Sequence, residues 1–298
     1  KWKAIAKSYE LYLFLLPTLA YIFVFCYIPM YGVTMAFQDY SPAKGLFGST
    51  WVGFEHFMRF FRSPQFWTLI KNTVSISLST LLVSFPFPIA LALMLNYLKY
   101  KRLKKFAQMI TYAPHFISTV VIVGMLMIML SPRSGIVNSM LTALGMEKIF
   151  FMAEPKWFRT IYVWSGVWQN TGWNSIIYLA ALASVDADVH EAAIIDGADK
   201  IKRIWYIDLP SLIPTITILF VLNMGSVMNV GFEKVYLMQN SLNQSVSEVI
   251  STYVYKTGLI NTQFSFSTAV GLFNSAINLF FLVSVNQITK RLNNSSLW

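Results

Sequence analysis

The sequence predicts an all-α polytopic membrane protein with six transmembrane helices and both termini in the cytoplasm. Hydrophobic residues make up 56% of the 298 positions and charged residues 12%, about half the charged fraction of an ordinary soluble domain. Several stretches of eighteen residues or more carry no charge, long enough to cross the hydrocarbon core as helices. None shows the ten-residue alternation of a barrel strand, so helices, which satisfy their own backbone groups in lipid, are expected.

The six spans are drawn at 11–37, 72–98, 106–131, 160–183, 210–232 and 264–289, within a single domain covering 1–298. The first is too long for a signal peptide and has no small-residue cleavage site before Tyr31-Gly32, so it reads as a retained helix. Between the first two spans, Trp51-Val52-Gly53, Phe57, Phe60 and Phe61 read as interfacial aromatic anchors. Orientation follows from Lys and Arg. Lys1, Lys3 and Lys7, then Lys99, Lys101, Arg102, Lys104 and Lys105, then Lys200, Lys202 and Arg203, and finally Lys290 and Arg291 fall on one side, in short segments. The positive-inside rule makes that side cytoplasmic. The net charge of +10 is therefore a topology signal, and no nucleic-acid partner is expected. The lone Cys26 excludes an intrachain disulfide, and His56, His115 and His190 lack ligand spacing, so no metal site is expected.

The connection at 184–209 is the most informative segment. Six of the thirteen acidic residues lie between Asp186 and Asp208. Asp186 or Asp188 can cap a helix starting near Val189, and Gly197 can end it in the left-handed conformation. A second short helix over 200–207 and Pro210 in the first turn of the next span complete a helix–turn–helix hairpin. Small Ala192 and Ala193 beside Glu191 would let a partner approach closely. By composition alone this hairpin is equally a docking handle or a plain connection.

The order Glu191-Ala192-Ala193, Asp196-Gly197-Ala198, Ile207, Leu209-Pro210 and Pro214 resembles the EAA loop of the membrane subunits of ATP-binding-cassette importers. Ile204 stands where that family often has an aromatic, with Trp205 beside it. Phe37-Gln38-Asp39-Tyr40-Ser41-Pro42, Trp51-Val52-Gly53, Ala113-Pro114-His115-Phe116-Ile117-Ser118, Gly172-Trp173-Asn174-Ser175 and Ser247-Glu248-Val249-Ile250 with Thr252-Tyr253-Val254-Tyr255 are similar to the polysaccharide-type branch of the maltose-permease-like carbohydrate importers. The resemblance implies that Glu191, Ala192, Ala193, Asp196, Gly197, Leu209 and Pro210 couple the permease to a separate ATPase. It also implies a second homologous permease subunit, two ATPase subunits, an extracytoplasmic solute-binding protein, and an oligosaccharide, including uronate-containing ones such as pectin or alginate fragments. No cofactor is then bound by this chain, ATP and magnesium belonging to the partner ATPase.

The residues themselves agree with that division of labour. No G-x-x-x-x-G-K-[ST] segment is present, so the loop that would cradle nucleotide phosphates is missing. No span core contains Asp, Glu, Lys or Arg, the usual relays of ion-coupled carriers. A secondary transporter of a small polar solute, an importer of a non-sugar solute and a docking scaffold remain the alternatives. A sugar path needs amide, hydroxyl and aromatic partners, because an unpaired buried hydroxyl costs about 1–3 kcal/mol. Trp168, Asn170, Trp173 and Asn174 in the fourth span and Asn223, Ser226 and Asn229 in the fifth are the expected path residues. The same amides also suit helix-to-helix packing, the reading preferred for Asn274 and Asn278. His115, after Pro114, reads as a hydrogen-bonded histidine at a kink, and Glu233 and Lys234 as solvated rim charges.

Overall fold

A computed structural model of the chain describes residues 9–293. Lys1, Lys3 and Lys7, part of the orientation argument, lie outside them. The chain is mostly helical and its contacts group it into two compact units.

The first unit comprises the described residues up to Ser63 together with Val254–Phe273. Its long helical run, Tyr9–Phe37, widens to a π turn at Phe23–Tyr27 and tightens to 3-10 geometry over Tyr31–Phe37. No residue between Tyr9 and Met30 is buried. Gln38–Asp39 then pairs antiparallel with Thr50–Trp51. Phe60 is not an interfacial anchor: it is fully buried, with ring contacts to Phe266 and Phe273 at 6.4 and 5.5 Å. The short helix Glu55–Phe61 lays Phe60 against the start of the last helix, where Arg59 stands 4.4 Å over the Phe266 ring and donates to Gln263 Oε1 at 2.9 Å.

The second unit comprises Pro64–Tyr253 and the described residues from Asn274 onward. Phe66–Asn96 forms one 31-residue helical run, beginning earlier than expected at 72. The third expected span is not one straight helix. Lys101–Tyr112 and Ala113–Phe116 run into Thr119–Met129 with a bend of 98°. Pro114 has no N–H to continue the ladder, and Ser118 restarts it by accepting from the Val121 amide at 3.4 Å. Pro155–Ala183 is a 29-residue helix.

The fifth expected span is displaced toward the N-terminus. Lys200–Met224 is a single run, carried past Pro210 by a π turn at Ile204–Asp208 in which the Leu209 amide reaches the Ile204 carbonyl. Proline tolerates the place because its missing N–H falls at the start of the following α segment. The run ends at Met224, and residues 225–231 are non-helical before the short helix Phe232–Met238. The last helix is Phe264–Asn293. Among the described residues four helices are long and apolar enough to cross a membrane: Tyr9–Phe37, Phe66–Asn96, Lys200–Met224 and Phe264–Arg291. The bent pair makes a fifth if it counts as one crossing. Pro155–Ala183 has the length, but its amides and hydroxyls leave it outside that set.

The core of the second unit gathers Ile76, Val123, Phe158, Val163 and Val167 with Val230, Val235 and Val249. Asn72 pins the 244–253 segment by donating to the Ser245 and Glu248 carbonyls, and Thr73 Oγ1 accepts from the Ile250 amide. Gly172 lets two helices touch backbone to backbone: a Cβ there would lie 1.9 Å from the Thr111 carbonyl oxygen.

Candidate functional site

Three segments of the second unit enclose a cavity of about 740 Å³, within the range that holds small organic ligands. Phe66–Ser84 contributes Ser77, Thr80 and Ser84, whose spacings of three and four put them on one helix face. Pro155–Ala183 contributes Tyr162, Trp173, Asn174 and Tyr178, and the stretch after Met224 adds Ser226, Asn229 and Gly231 to Asn223 on the helix before it. No lining residue is charged. The walls alternate amides and hydroxyls with aromatic and aliphatic surface, a chemistry suited to a polyhydroxylated solute.

Five of the seven expected path residues thus line one cavity: Trp173, Asn174, Asn223, Ser226 and Asn229. Trp168 and Asn170 do not. Trp168 is half exposed elsewhere on its helix, and the Asn170 amide is taken up locally. Its Oδ1 lies 3.0 Å from His115 Nδ1 and its Nδ2 donates to the Gly166 carbonyl at 3.1 Å. Gln169 adds a bond to the Ile117 carbonyl. These side chains hold the 98° bend against the long helix, and His115 is the hydrogen-bonded histidine expected beside Pro114. The bend in turn sets Trp173, whose ring stacks on His115 at 4.6 Å and meets the Phe116 edge at 5.5 Å.

Asn229 is both lining and glue. Its Oδ1 accepts from Asn274 Nδ2 at 2.8 Å and Asn278 Nδ2 at 3.0 Å, while Asn278 Oδ1 accepts from the Met228 amide at 2.9 Å. The last helix therefore uses its asparagines to fix the non-helical stretch, the packing role preferred for them. The Asn223 and Ser226 side chains donate to the nearby carbonyls of Leu219 and Asn223.

The sequence reading missed Ser77 and Thr80. Both residues lie on the cavity lining, and their hydroxyl oxygens are tucked behind it, buried with no hydrogen-bond partner among the described residues. The signal was available: Ser77, Thr80 and Ser84 repeat at helical spacing in an otherwise apolar run. Lys234 corrects the rim-charge expectation. Glu233 is exposed, but Lys234 is buried, its Nζ donating to the Tyr162 carbonyl at 3.0 Å and lying 4.9 Å over the Tyr162 ring. Burial pushes its ammonium down to about 8. The helix Phe232–Met238 turns this side chain against Pro155–Ala183, which a hydropathy reading of one segment does not reveal.

The hairpin at 184–209 is the second site. Its first helix is Ala187–Ile195, capped by Asp186 Oδ1 accepting from the Asp188 amide at 3.0 Å. It ends in a Schellman turn: Gly197 has φ +78, and the Ala198 amide reaches back to the Ala193 carbonyl at 2.8 Å. Asp199 then caps the next helix through the Lys202 amide at 2.8 Å. Glu191, Ala192, Asp196 and Gly197 are exposed and Ala193 is half-buried. Leu209 and Pro210 lie farther along, inside the continuous run Lys200–Met224, half-buried and exposed respectively.

Several helices of membrane-spanning length, an uncharged cavity in the second unit and an exposed, capped hairpin are features of a membrane permease. The chain belongs to the family of binding-protein-dependent transport system inner membrane components, which its residues 84–294 match. It is 42% identical over its whole length to the protein LplB of Bacillus subtilis, covering 94% of that protein. It is also 42% identical to the polygalacturonan/rhamnogalacturonan transport system permease protein YteP of the same organism, over 99% of this chain and 92% of that one. Among solved structures, a chain of a bacterial alginate ABC transporter, crystallised with an alginate pentasaccharide-bound periplasmic protein, is 39% identical. It superposes with a TM-score of 0.91 over 99% of both chains.

Proposed function

We propose that this chain is a permease subunit of an ATP-driven importer that moves an oligosaccharide, of the uronate-containing kind, across the cytoplasmic membrane. The observation that carries the reading is the cavity: about 740 Å³, uncharged, and lined by Trp173, Asn174, Asn223, Ser226 and Asn229 together with Ser77, Thr80 and Ser84. Such walls offer each sugar hydroxyl a partner and each C–H face an aromatic or aliphatic surface. The relatives named for polygalacturonan, rhamnogalacturonan and alginate support an acidic sugar. A wall without cations then has a physical sense: carboxylates are met by amide donors, which hold without trapping, and a path must release what it admits.

In this reading the bent pair and Pro155–Ala183 complete six crossings, with both termini and the hairpin in the cytoplasm. A second permease subunit closes the path from the other side, two ATPase subunits carry ATP and magnesium, and a solute-binding protein delivers the sugar. Glu191 supplies a charged contact to the ATPase, Ala192 and Ala193 the close fit, Gly197 the turn. Closure of the ATPase pair drives the docked hairpins and opens the path outward, and ADP release reverses it, a rocking form of alternating access. Reconstitution of the assembly in vesicles tests this. Uptake of labelled oligogalacturonide is expected only with ATP and the binding protein present, and Trp173→Ala should weaken uptake while the subunits still copurify. Uptake with no ATPase subunit present would overturn the reading in favour of a secondary transporter.

A further inference from the structure

The hairpin's first helix is exposed along most of its length, so few of its side chains tie it to the rest of the chain. His190, immediately before Glu191, is one that does. Its Nε2 stands 3.3 Å from Asp208 Oδ1, and Asp208 is fully buried. The other carboxylate oxygen, Oδ2, accepts from the Tyr97 hydroxyl at 2.6 Å. Tyr97 follows directly on the helix ending at Asn96, so one carboxylate meets three elements: the hairpin helix, the end of Phe66–Asn96 and the base of Lys200–Met224.

The local geometry explains why the carboxylate is there. The π turn at Ile204–Asp208 brings residues five apart onto one side of the helix. Arg203 and Asp208 therefore both face Tyr97, the guanidinium carbon lying 5.5 Å over its ring. An isolated buried carboxylate is costly unless charge and hydrogen bonds compensate it. Here the compensation is incomplete in an informative way: among the described residues, Asp208 Oδ1 has no well-aligned hydrogen bond, only the His190 approach, and the buried Arg203 Nε has no partner. The cluster keeps spare bonding capacity between the His190 and Arg203 side chains, one on each side of the hairpin turn.

We propose that Asp208 is the positioning residue of the coupling step: with Tyr97 and His190 it forms the joint that transfers movement of the hairpin to the helices Phe66–Asn96 and Lys200–Met224. The proposal rests on the reading that this hairpin docks on the ATPase. Without the joint, a displaced helix Ala187–Ile195 would flex about the exposed segment around Ser184–Asp186 and Gly197 and leave the cavity walls where they were. With it, force applied at Glu191 reaches, through the adjacent His190, the helices that carry Ser77 and Asn223.

The test uses the reconstituted importer and compares Asp208→Asn, His190→Gln and Tyr97→Phe, with Gly197→Val as a control for the hairpin alone. Asp208→Asn and His190→Gln are expected to lower sugar transported per ATP hydrolysed by about tenfold, within the usual range of site-to-site coupling. The sugar KM should stay put and the subunits should copurify. The double variant is expected to be no worse than either single one, as for residues acting through one contact. Tyr97→Phe removes one hydroxyl from an otherwise unchanged ring and should give a smaller loss, which keeps the proposal testable if Asp208→Asn fails to assemble. If Gly197→Val lowers the ratio while the His190 and Tyr97 variants match wild type, the joint is refuted and the docking reading stands. If Gly197→Val also leaves the ratio intact, the docking reading falls and takes the joint with it.

Discussion

Gly172→Ala offers the sharpest test of how this fold is held together. The added Cβ would sit 1.9 Å from the Thr111 carbonyl oxygen and 2.3 Å from its carbon, where real Cβ atoms essentially never come within 3.0 Å. Both atoms belong to backbone, so no rotamer change relieves the clash, and the helix Lys101–Tyr112 must part from Pro155–Ala183 by about 1 Å, a typical overpacking response costing ~1–3 kcal/mol. An opening of that size stretches the 3.0 Å His115–Asn170 contact out of hydrogen-bonding range and loosens the 4.6 Å stack of His115 on Trp173. Losing that bond adds about 1 kcal/mol. The expected result is an apparent melting temperature lower by about 5 °C or more in detergent, followed by tryptophan fluorescence, with weakened sugar uptake because Trp173 lines the cavity. Gly124→Ala is the control: nothing lies within 4 Å of a Cβ there, and Ala is the better helix former. A Gly172→Ala protein that melts and transports like the Gly124→Ala protein would refute the close-approach reasoning.

Three further outcomes are expected. Gly197→Val meets no neighbouring atom within 4 Å but must adopt φ +78, so it should strain the turn by about 1–2 kcal/mol and lower transport per ATP with little change in melting; unchanged coupling would count against a required turn and against docking through this hairpin. Lys234→Met should change the pH dependence of stability. Because the folded lysine titrates near 8 instead of 10.5, the buried ammonium is a penalty at low pH that lifts as pH rises from about 8 to 10.5, on the order of 3 kcal/mol in all. The wild-type melting temperature should therefore climb over that window relative to Lys234→Met, and parallel curves would disprove it. Asn278→Leu strands the Met228 amide, bonded at 2.9 Å to Asn278 Oδ1, and should cost about 1–3 kcal/mol; a neutral effect in the melt would mean the amide finds another acceptor.

The particulars show where sequence reasoning reaches and where it stops. The hairpin was legible to within a few residues because its signals are local: a cap at Asp186 or Asp188 and a turn at Gly197 were expected, and the structure chooses Asp186, starts the helix at Ala187 and adds a cap at Asp199. The apolar runs were legible for the same reason, since hydropathy is summed along one helix. The bend after Pro114 was half legible: a kink was expected at His115, but not its 98°, which depends on what Asn170 and Gln169 grip. The run across Pro210 was misread because a π turn shifts the register without leaving a mark in composition.

By itself, then, the order of residues determined the helical membrane class, the position of the exposed hairpin and the absence of a nucleotide loop, all properties of contiguous stretches governed by transfer free energy and backbone capping. Tertiary structure alone decided which polar side chains face a common space and which are consumed in packing. It joined Ser77 and Thr80 to Trp173 and Asn229, withdrew Asn170 and Trp168, buried Lys234 under Tyr162, and set Asp208 between Tyr97 and His190. An amide or a carboxylate has the same formula whether it bonds a neighbouring helix or stands open to a solute. Only the distances to groups remote in sequence separate the two.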